Sequence, residues 1–366
     1  MFAGYYTGRR VLITGHTGFK GGWLALWLKE LGAEVHGFSL PPPTEPNLYA
    51  TIQQHSVVSD ARGDVRNLEQ ITATVEQVQP EIIFHLAAQP LVRLSYQQPL
   101  ATLLTNTVGT AHILEAVRQV ELGCPIILVT TDKCYENRNW EHAYREGDPL
   151  GGHDVYSASK AAAELVASAW RRSFFQDHPK LGPIATVRAG NVIGGGDYAV
   201  DRIVPDAVRA LIAGQAIPVR NPRATRPWQH VLDCLSGYLW LGARLATTGK
   251  KSPLTDAFNF GPGPDANRSV QTLVENFLHH WPGRWENLAP KDAPHEASRL
   301  NLAIDRAHAL LGWSPTWTFA EAAQATALWY RERHTVQGAD MLSFSRNQLA
   351  QYRTDAHRRD AHWTQS

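Results

Sequence analysis

The chain has 366 residues, 43% of them hydrophobic, and its 35 Lys and Arg nearly balance its 34 Asp and Glu. This length and apolar content predict one large two-lobed domain, or two intimate ones, around a substantial core. A formal net charge of +1 argues against a global basic field for nucleic acid or an anionic membrane. Three cysteines without CxxC spacing, no apolar leader and no run of ~20 apolar residues predict a protein of the reducing cytoplasm.

Short apolar runs alternate with helix-patterned segments through the first half of the chain. Predicted strands cover residues 9–14, 33–40, 81–88, 125–131 and 183–192, and predicted helices cover residues 20–31, 67–78, 100–120 and 154–175. Near-continuous apolar strands that alternate with helices are typical of a parallel sheet covered on both faces. The prediction is therefore an α/β fold.

The first predicted strand runs into the glycine-rich stretch TGHTGFKG and then into a helix. Gly15, Gly18 and Gly21 permit a tight turn, close approach of the backbone to a pyrophosphate and close packing of helix on strand. Thr17 and Phe19 belong to the same loop. A strand before the motif and a helix after it are the context that a dinucleotide site requires, and this predicts a Rossmann-like, doubly wound sheet.

The end of the second predicted strand bears on the choice of dinucleotide. A dinucleotide site normally offers an acid there for the adenosine ribose, whereas this chain offers Ser39. No Lys or Arg lies between Lys29 and Arg62 to neutralise a 2′-phosphate, so NAD is favoured over NADP. Asp64 and Val65 are candidates for the adenine edge, although Asp64 also fits the start of the next helix.

The alternating rhythm breaks after about residue 190, where long Gly-, Pro- and Arg-rich connections begin. Such loops in a compact chain are typical of binding loops. We expect residues 1–190 to form an NAD-binding domain, with residues 228–260 packing back on it. Residues 191–227 and 261–366 are expected to form a smaller C-terminal substrate-binding lobe.

A tyrosine and a lysine four residues apart, in the stretch YSASK, lie on one face of the helix predicted over residues 154–175. A lysine ammonium close to a phenol favours the phenolate and lowers a pKa of ~10 toward the range of a general base. Tyr156 and Lys160 are therefore candidate catalytic residues. No HExxH motif and no clustered His or Cys spacing is present, so no metal site is predicted.

The motifs TGHTGFKG, HLAAQ, TTDK and YSASK together resemble the extended short-chain dehydrogenase/reductase family, and the resemblance covers nearly the whole chain. Within it, GHTGFKGGWL, NTVGT, TTDKCYEN, RAGNVIGGGD, ATRPWQHVLD and HEASRLNLAIDRAHALLGWSP most resemble the CDP-glucose 4,6-dehydratases. The resemblance implies a lyase that converts CDP-D-glucose to a 4-keto-6-deoxy sugar nucleotide, toward deoxysugars of bacterial surface polysaccharide.

The resemblance also implies roles for individual residues. Tyr156 would take the proton of the sugar 4-hydroxyl as hydride leaves for NAD, Lys160 would bind the nicotinamide ribose, and Thr131 would hydrogen-bond the reacting oxygen. Asp132 and Lys133 would then be the acid and the base that remove water across C5 and C6. Related dehydratases have Glu at the second position, so Lys133 must be neutral, which requires desolvation or neighbouring cations.

Further contacts are implied at positions that match the family. Additional cofactor contacts are Leu86, Ala87 and Ala88, and substrate contacts are Gln89, Arg93 and Asn191. Arg202, Arg220 and Arg226 lie in loops near RPWQHVLD and are candidates for the substrate diphosphate because of their chemistry. Arginine suits the diphosphate because its guanidinium binds phosphate in a bidentate manner. The family also predicts a homodimer or homotetramer that forms through the helices at 100–120 and 154–175.

Two alternatives share the same fold. A nucleotide-sugar 4-epimerase needs the same cofactor site and the same tyrosine and lysine, but it needs no acid and base to expel the 6-hydroxyl. A non-catalytic NAD-binding regulator would be expected to have lost Tyr156 or Lys160. Asp132 and Lys133 argue against the first alternative, and the retained pair argues against the second.

Overall fold

The computed structural model describes residues 1–289 and 300–365. The strands in chain order are β1 (Arg10–Thr14), β2 (Glu34–Ser39), β3 (Ser59–Arg62), β4 (Ile82–His85), β5 (Ile126–Val129), β6 (Ile184–Arg188), β7 (Val192–Ile193), β8 (Ile217–Val219), β9 (Thr225–Pro227), β10 (Gln229–His230), β11 (Ala257–Asn259), β12 (Asn267–Ser269) and β13 (Trp285–Asn287). Seven of them form one parallel sheet in the order β11-β6-β5-β4-β1-β2-β3. The other six pair as short two-stranded ribbons.

The helices in chain order are α1 (Phe19–Glu30), α2 (Leu48–Thr51), α3 (Leu68–Val78), α4 (Val92–Gln97), α5 (Pro99–Leu103), α6 (Gly109–Val120), α7 (Val155–Trp170), α8 (Ile203–Ile212), α9 (Val231–Thr248), α10 (Val270–His280), α11 (Asp305–Leu311), α12 (Phe319–Thr335) and α13 (Met341–Arg358). Single π-helical turns at Leu104–Val108 and Arg171–Phe175 adjoin α6 and α7.

Helices cover both faces of the central sheet. On one face the core joins α1 and α9 with the C-terminal helices α12 and α13, and on the other it joins α3, α6 and α7. The inner strands are apolar at successive residues because both of their faces are buried, as in the fully buried β5. The resulting doubly wound sheet confirms the predicted fold class. Its carboxyl edge, where strand order reverses between β1 and β4, is where such folds bind ligands.

The predicted strands at 9–14, 33–40, 81–88 and 125–131 correspond to β1, β2, β4 and β5, and no end differs by more than three residues. The segment 183–192 holds β6 and then enters β7. Two strands of the sheet were not predicted: β3 lacks an apolar pattern because all four of its side chains are exposed at the edge, and β11 has only three residues.

The predicted helix at 100–120 is divided into α5, a π-helical turn and α6, and the one at 154–175 ends in a second π-helical turn. The return of residues 228–247 to the first half of the chain is seen in α9, which packs on α1 and β5. Residues 295–299 of the HEASRLNL motif lie outside the described residues. Within the described ranges, none of the helices has the length and apolar character needed to cross a bilayer.

Candidate active site

Glycine is required at two positions where β1 leads into α1, one in the loop and one in the first turn of the helix. Gly15 has φ +79°, and a Cβ there would lie 2.6 Å from the backbone nitrogen of Ala87. A Cβ at Gly21 would lie 2.2 Å from the Gly15 carbonyl oxygen. Helix α1 follows Gly18 without a side-chain cap and without an acid in its first turn. The first N–H groups of α1 are therefore available to an anion such as a pyrophosphate.

Two hydroxyls join this loop to the end of β2. The Oγ1 of Thr17 lies 2.7 Å from the Oγ of Ser39 and donates to the Leu40 carbonyl oxygen at 3.0 Å. Both side chains are buried. Ser39 thus stands where a dinucleotide site usually has an acid, held by the phosphate loop itself.

The acid missing from the end of β2 lies on the neighbouring strand β3. Asp60 accepts a hydrogen bond from Tyr49 at 2.5 Å and lies 2.9 Å from the Nε2 of the buried His16. Arg62 pairs in register with Ser39, donates to the Leu40 carbonyl and forms an ion pair with Asp60 at 2.5 Å. Sequence spacing did not reveal this arrangement because β3 was not recognised as a strand. Asp60 thus balances the charge of Arg62 beside Ser39.

The residues after β4 lie beside the phosphate loop. The backbone nitrogen of Leu86 donates to the Thr14 carbonyl at 3.0 Å, and that of Ala87 donates to the Thr14 hydroxyl at 3.3 Å. Leu86, Ala87 and Ala88 are each half-buried and keep some exposed surface. The structure therefore brings these predicted cofactor contacts together with Gly15.

Asp64 and Val65 lie on the rim of the same edge. The Asp64 carboxylate binds the side chain of Arg66 at 2.9 Å, and these hydrogen bonds are the main cause that lowers its pKa. The cap of α3 is Asn67 rather than Asp64. Val65 is buried and its carbonyl accepts from His112 at 3.0 Å. Contact of Asp64 with an adenine stays a prediction.

Thr131, Asp132 and Lys133 follow β5 at the carboxyl edge of the sheet. Thr131 and Asp132 are buried, with the Thr131 hydroxyl donating to Asp132 Oδ1 at 3.0 Å, whereas Lys133 is exposed. Gly190 packs directly on the acid, since a Cβ there would lie 1.8 Å from Asp132 Oδ2. The two residues proposed as acid and base thus have opposite environments. Protein atoms alone do not desolvate Lys133, so its desolvation would have to come from a bound substrate.

Tyr156 and Lys160 lie one turn apart at the start of α7 and are both buried. Burial raises the pKa of Tyr156 to about 12, and the largest offsets come from the Thr131 hydroxyl and the charge of Arg202. The sequence had assigned this lowering to Lys160, whose Nζ instead donates to the Val129 carbonyl at 3.0 Å. Burial lowers the pKa of Lys160 to about 8, with a further contribution from the charge of Lys20.

A buried ion pair that the sequence did not predict lies next to Lys160 on α7. Glu164, one turn beyond Lys160, binds Arg188 through two bonds of 2.9 and 3.0 Å, and both side chains are at most 4% exposed. The Thr186 and Thr130 hydroxyls also donate to Glu164. Thr130 directly precedes Thr131, so the pair fixes the end of β5 against α7. The sequence does contain a signal for Glu164: residues 156, 160 and 164 are spaced four apart and therefore lie on the same face of α7 as Tyr156 and Lys160.

Asn106, in the π-helical turn before α6, links α7 to the loop after β4. Its Oδ1 accepts from the Gln89 nitrogen at 2.8 Å, and its Nδ2 donates to the Ser159 hydroxyl at 2.9 Å. Gln89, a predicted substrate contact, directs its own side-chain nitrogen to Thr102 at 2.9 Å. The π-helical turn is the kind of helix irregularity that is frequent at functional sites.

Three of the predicted substrate arginines form ion pairs with aspartates. Arg93 binds Asp201 at 2.7 Å, Arg220 lies 3.7 Å from the same carboxylate, and Arg202 binds Asp197 at 2.7 Å. Arg93 comes from α4, whereas the other arginines flank or follow α8. Arg93 and Arg220 thus share one carboxylate, with which a diphosphate could compete.

Asn191 and Arg226 are the other two predicted substrate contacts. Asn191 has φ +51°, and its carbonyl accepts from the Gln229 nitrogen at 3.3 Å. Arg226 lies in β9, which pairs with β12, and donates to the Thr225 carbonyl at 2.8 Å. In the parts of the chain that the structure describes, no three His, Cys, Asp or Glu side chains are grouped to hold a metal ion.

Comparisons with known proteins agree with this geometry. A family profile described as GDP-mannose 4,6 dehydratase matches residues 12–255. The chain is 44% identical over 95% of its length to a CDP-glucose 4,6-dehydratase of Salmonella typhimurium, of which 97% is covered. It is also 25% identical over 89% of its length to a dTDP-glucose 4,6-dehydratase of Xanthomonas campestris, of which 95% is covered.

Solved structures share the fold. A dTDP-glucose 4,6-dehydratase from Streptomyces venezuelae with bound NAD superposes with a TM-score of 0.74 at 24% identity, covering 89% of this chain and 98% of that one. A UDP-glucose 4-epimerase from Thermotoga maritima superposes with a TM-score of 0.76 at 20% identity, covering 88% and 99%. The chain therefore belongs to the GDP-mannose 4,6 dehydratase family, among the extended short-chain dehydrogenases/reductases.

Proposed function

We propose that this protein converts CDP-D-glucose to CDP-4-dehydro-6-deoxy-D-glucose and water, as an NAD-dependent nucleotide-sugar 4,6-dehydratase. The observation that carries the proposal is the buried Asp132, hydrogen-bonded to Thr131 at 3.0 Å, at the strand end that faces Tyr156. An acid in that position is needed to expel a hydroxyl and is not needed for epimerisation. The identity of 44% to a CDP-glucose 4,6-dehydratase supports the choice of CDP-glucose.

The residues present fit NAD. Gly15 and Gly21 leave room that a Cβ would fill, and the first turn of α1 offers N–H groups to a pyrophosphate. Ser39 and the neighbouring Asp60 would serve the adenosine ribose, and Lys160 would serve the nicotinamide ribose. Bound NAD would supply a hydride acceptor for C4 and afterwards the hydride donor for C6.

Oxidation at C4 needs a base for the 4-hydroxyl proton, and we assign that role to Tyr156. To act as a base the phenol must first be deprotonated, and this is unfavourable because burial raises the pKa of Tyr156 to about 12. The charge of Arg202 favours the phenolate, and so does the Thr131 hydroxyl when it donates to the phenol oxygen instead of to Asp132. A substrate seated here would place its 4-hydroxyl against Thr131 and Tyr156.

The 4-keto group acidifies the proton on C5, so water can leave across C5 and C6. Asp132 would donate a proton to the departing 6-hydroxyl, and Lys133 would remove the C5 proton. When C6 receives the hydride, Lys133 returns its proton to C5. The proton that Tyr156 took from the 4-hydroxyl then restores the carboxylic acid of Asp132, so that one water molecule is lost and all three residues regain their starting protonation. Exposed Lys133 is suited to this role only when the sugar covers it.

We further propose the division of labour between the two halves of the chain. Residues 1–190, with 228–260 packed on them, would hold NAD, and residues 191–227 with 261–366 would hold the nucleotide and close over the sugar. Support comes from Arg202, which flanks α8 yet acts on the phenol of Tyr156. We also place the protein in the cytoplasm, where its three buried cysteines would stay reduced.

A homodimer through α5, α7 and the π-helical turn between α5 and α6 is the assembly that we propose. This surface exposes large apolar side chains, with Leu100 73%, Leu104 46% and Leu165 60% exposed. Burying them against a second copy would be favourable. Leu165→Glu should shift the protein to a lighter species in light scattering after gel filtration. Leu288→Glu, an exposed leucine on another surface, is the control and should leave the assembly unchanged.

The function is tested by product analysis with CDP-, UDP-, dTDP- and GDP-glucose supplied separately. We expect a 4-keto-6-deoxy product from CDP-glucose, seen by its alkaline absorbance and by a C6 methyl signal in NMR. A 4-epimer as the product would replace the dehydratase proposal with an epimerase. Binding of NAD without turnover of any of the four substrates would favour a non-catalytic protein.

A further inference from the structure

Lys20 is a cation that the proposed reaction leaves without a role. It is the second residue of α1, it is half-buried, and its Nζ lies 5.9 Å from the ring centroid of Tyr238 on α9. Tyr238 is fully buried. In the described ranges, no carboxylate pairs with Lys20. The ring of Tyr238 stabilises the ammonium without neutralising it, so the positive charge remains available to a ligand.

The position of Lys20 relates it to Lys160. Helices α1 and α9 lie on one face of the central sheet, and α7, which carries Lys160, lies on the other. Lys160 reaches the end of β5, where its Nζ bonds the Val129 carbonyl at 3.0 Å. Lys20 follows the glycine loop at the carboxyl end of β1, and its Nζ lies over Tyr238 on α9, a helix that packs on both α1 and β5. Lys20 and Lys160 therefore lie on opposite faces of the sheet and both approach its carboxyl edge, and the charge of Lys20 contributes to the lowered pKa of Lys160.

A fixed cation acts differently on the two states of a nicotinamide. The oxidised ring carries a positive charge, and the ring becomes neutral when it accepts a hydride with its two electrons. A nearby ammonium therefore disfavours the oxidised ring relative to the reduced one. The pyrophosphate has the same charge in both states, so a simple phosphate contact would not discriminate between them.

We propose that Lys20 biases the bound nicotinamide toward its reduced state, so that the hydride taken from C4 stays on the cofactor until water has left C5 and C6. The inference rests on the NAD site of the proposed function. The hydride leaves with the electron pair of the C4–H bond, the hydroxyl proton passes to Tyr156, and the same hydride is returned to C6. No further oxidant or reductant is required.

The test is the ratio of the dissociation constants of NAD⁺ and NADH, measured by calorimetry on the wild type and on Lys20→Met. We expect the substitution to lower the ratio Kd(NAD⁺)/Kd(NADH) by about three- to tenfold, because one cation is removed from the neighbourhood of the ring. Lys20→Arg keeps the charge and should keep the ratio. Lys29→Met removes an exposed lysine at the other end of the same helix and should also leave the ratio unchanged.

The outcomes separate the alternatives. Equal weakening of both nucleotides in Lys20→Met would identify a phosphate contact and would overturn the inference, as would an unchanged ratio. Wild-type protein that binds neither nucleotide would instead contradict the proposed function. Should Lys20→Met fail to fold, as judged by its near-UV circular dichroism, Lys20→Gln removes the same charge while keeping a polar side chain.

A second measurement distinguishes an electrostatic role from a structural one. The charged and titratable groups that act on Lys160 are Lys20 from α1, His85 from β4, Cys134 after β5 and Glu164 on its own helix. Loss of the Lys20 charge should raise the pKa of Lys160 above about 8 and move the corresponding limb of the kcat/KM profile to higher pH. A merely structural defect would lower kcat/KM without moving this limb, and that result would contradict the inference.

Discussion

Asp233, buried at the start of α9, is expected to make the stability of the protein fall as pH rises. Its Oδ1 accepts hydrogen bonds from the backbone of Thr316 at 2.6 Å and from Tyr352 at 2.9 Å, whereas its Oδ2 has no partner in the described structure. Burial raises the pKa of this carboxyl from 3.8 to about 7. The residue thereby ties α9 to the segment before α12 and to α13 in its protonated state.

The sign and the size follow from proton linkage. Between pH 4 and pH 7 the unfolded chain has released this proton and the folded chain still holds it, so the unfolded state binds fewer protons. The contribution of Asp233 is therefore fully present below about pH 4 and is lost as pH rises through about 7. At 1.36 kcal/mol for each pKa unit, the loss between pH 5 and pH 8 is about 3 kcal/mol.

Asp233→Asn provides the test because asparagine keeps the acceptor oxygen and cannot ionise. The free energy of unfolding would be measured by urea denaturation for wild type and variant at pH 5 and pH 8. We expect the stability of the variant relative to wild type to increase by about 3 kcal/mol between the two pH values.

The matched control is Asp355→Asn. Asp355 accepts from Trp317 at 3.0 Å, and although burial raises its pKa, hydrogen bonds from Trp317, Arg358 and Gln351 lower it overall. It is therefore ionised in both states above pH 5, and its substitution should show no such change. A difference between Asp233→Asn and wild type that is the same at pH 5 and pH 8 would show that Asp233 is ionised in the folded protein.

Three further predictions concern the site. Tyr156→Phe should lower turnover of CDP-glucose by about 10²- to 10⁴-fold, the usual contribution of a general base, with little change in the NAD dissociation constant; equal loss of both would show a folding defect instead. Lys133→Ala should lose dehydration together with solvent deuterium uptake at C5, and an active variant would place the base elsewhere. Gly21→Ala should weaken NAD binding about tenfold or more, because the added Cβ would lie 2.2 Å from the Gly15 oxygen. The control Gly147→Ala should bind NAD normally, because nothing lies within 4 Å of a Cβ at that position. Normal NAD binding by Gly21→Ala would refute the close packing of the loop.

The sequence by itself determined five of the seven strands of the sheet and the position of the end of β5 that carries Thr131, Asp132 and Lys133. Local pattern is sufficient there, since strands buried on both faces are apolar throughout and a glycine turn must follow β1 if the backbone is to approach a phosphate. The order Thr131, Asp132, Lys133 after β5 and the helical spacing of Tyr156 and Lys160 are likewise local properties. The motifs that resemble the family predicted membership that the comparisons confirm.

Only the tertiary structure decided which groups from distant parts of the chain meet at the site. Asp60 was missed because an exposed edge strand carries no hydrophobic period, and Glu164 was missed because its partner Arg188 lies 24 residues further on. The environments of Asp132 and Lys133 could not be predicted from their adjacency, because one is covered by Gly190 and the other faces solvent. Burial and long-range pairing depend on how helices and strands pack across the sheet. The local sequence pattern does not predict which individual side chains meet in that packing.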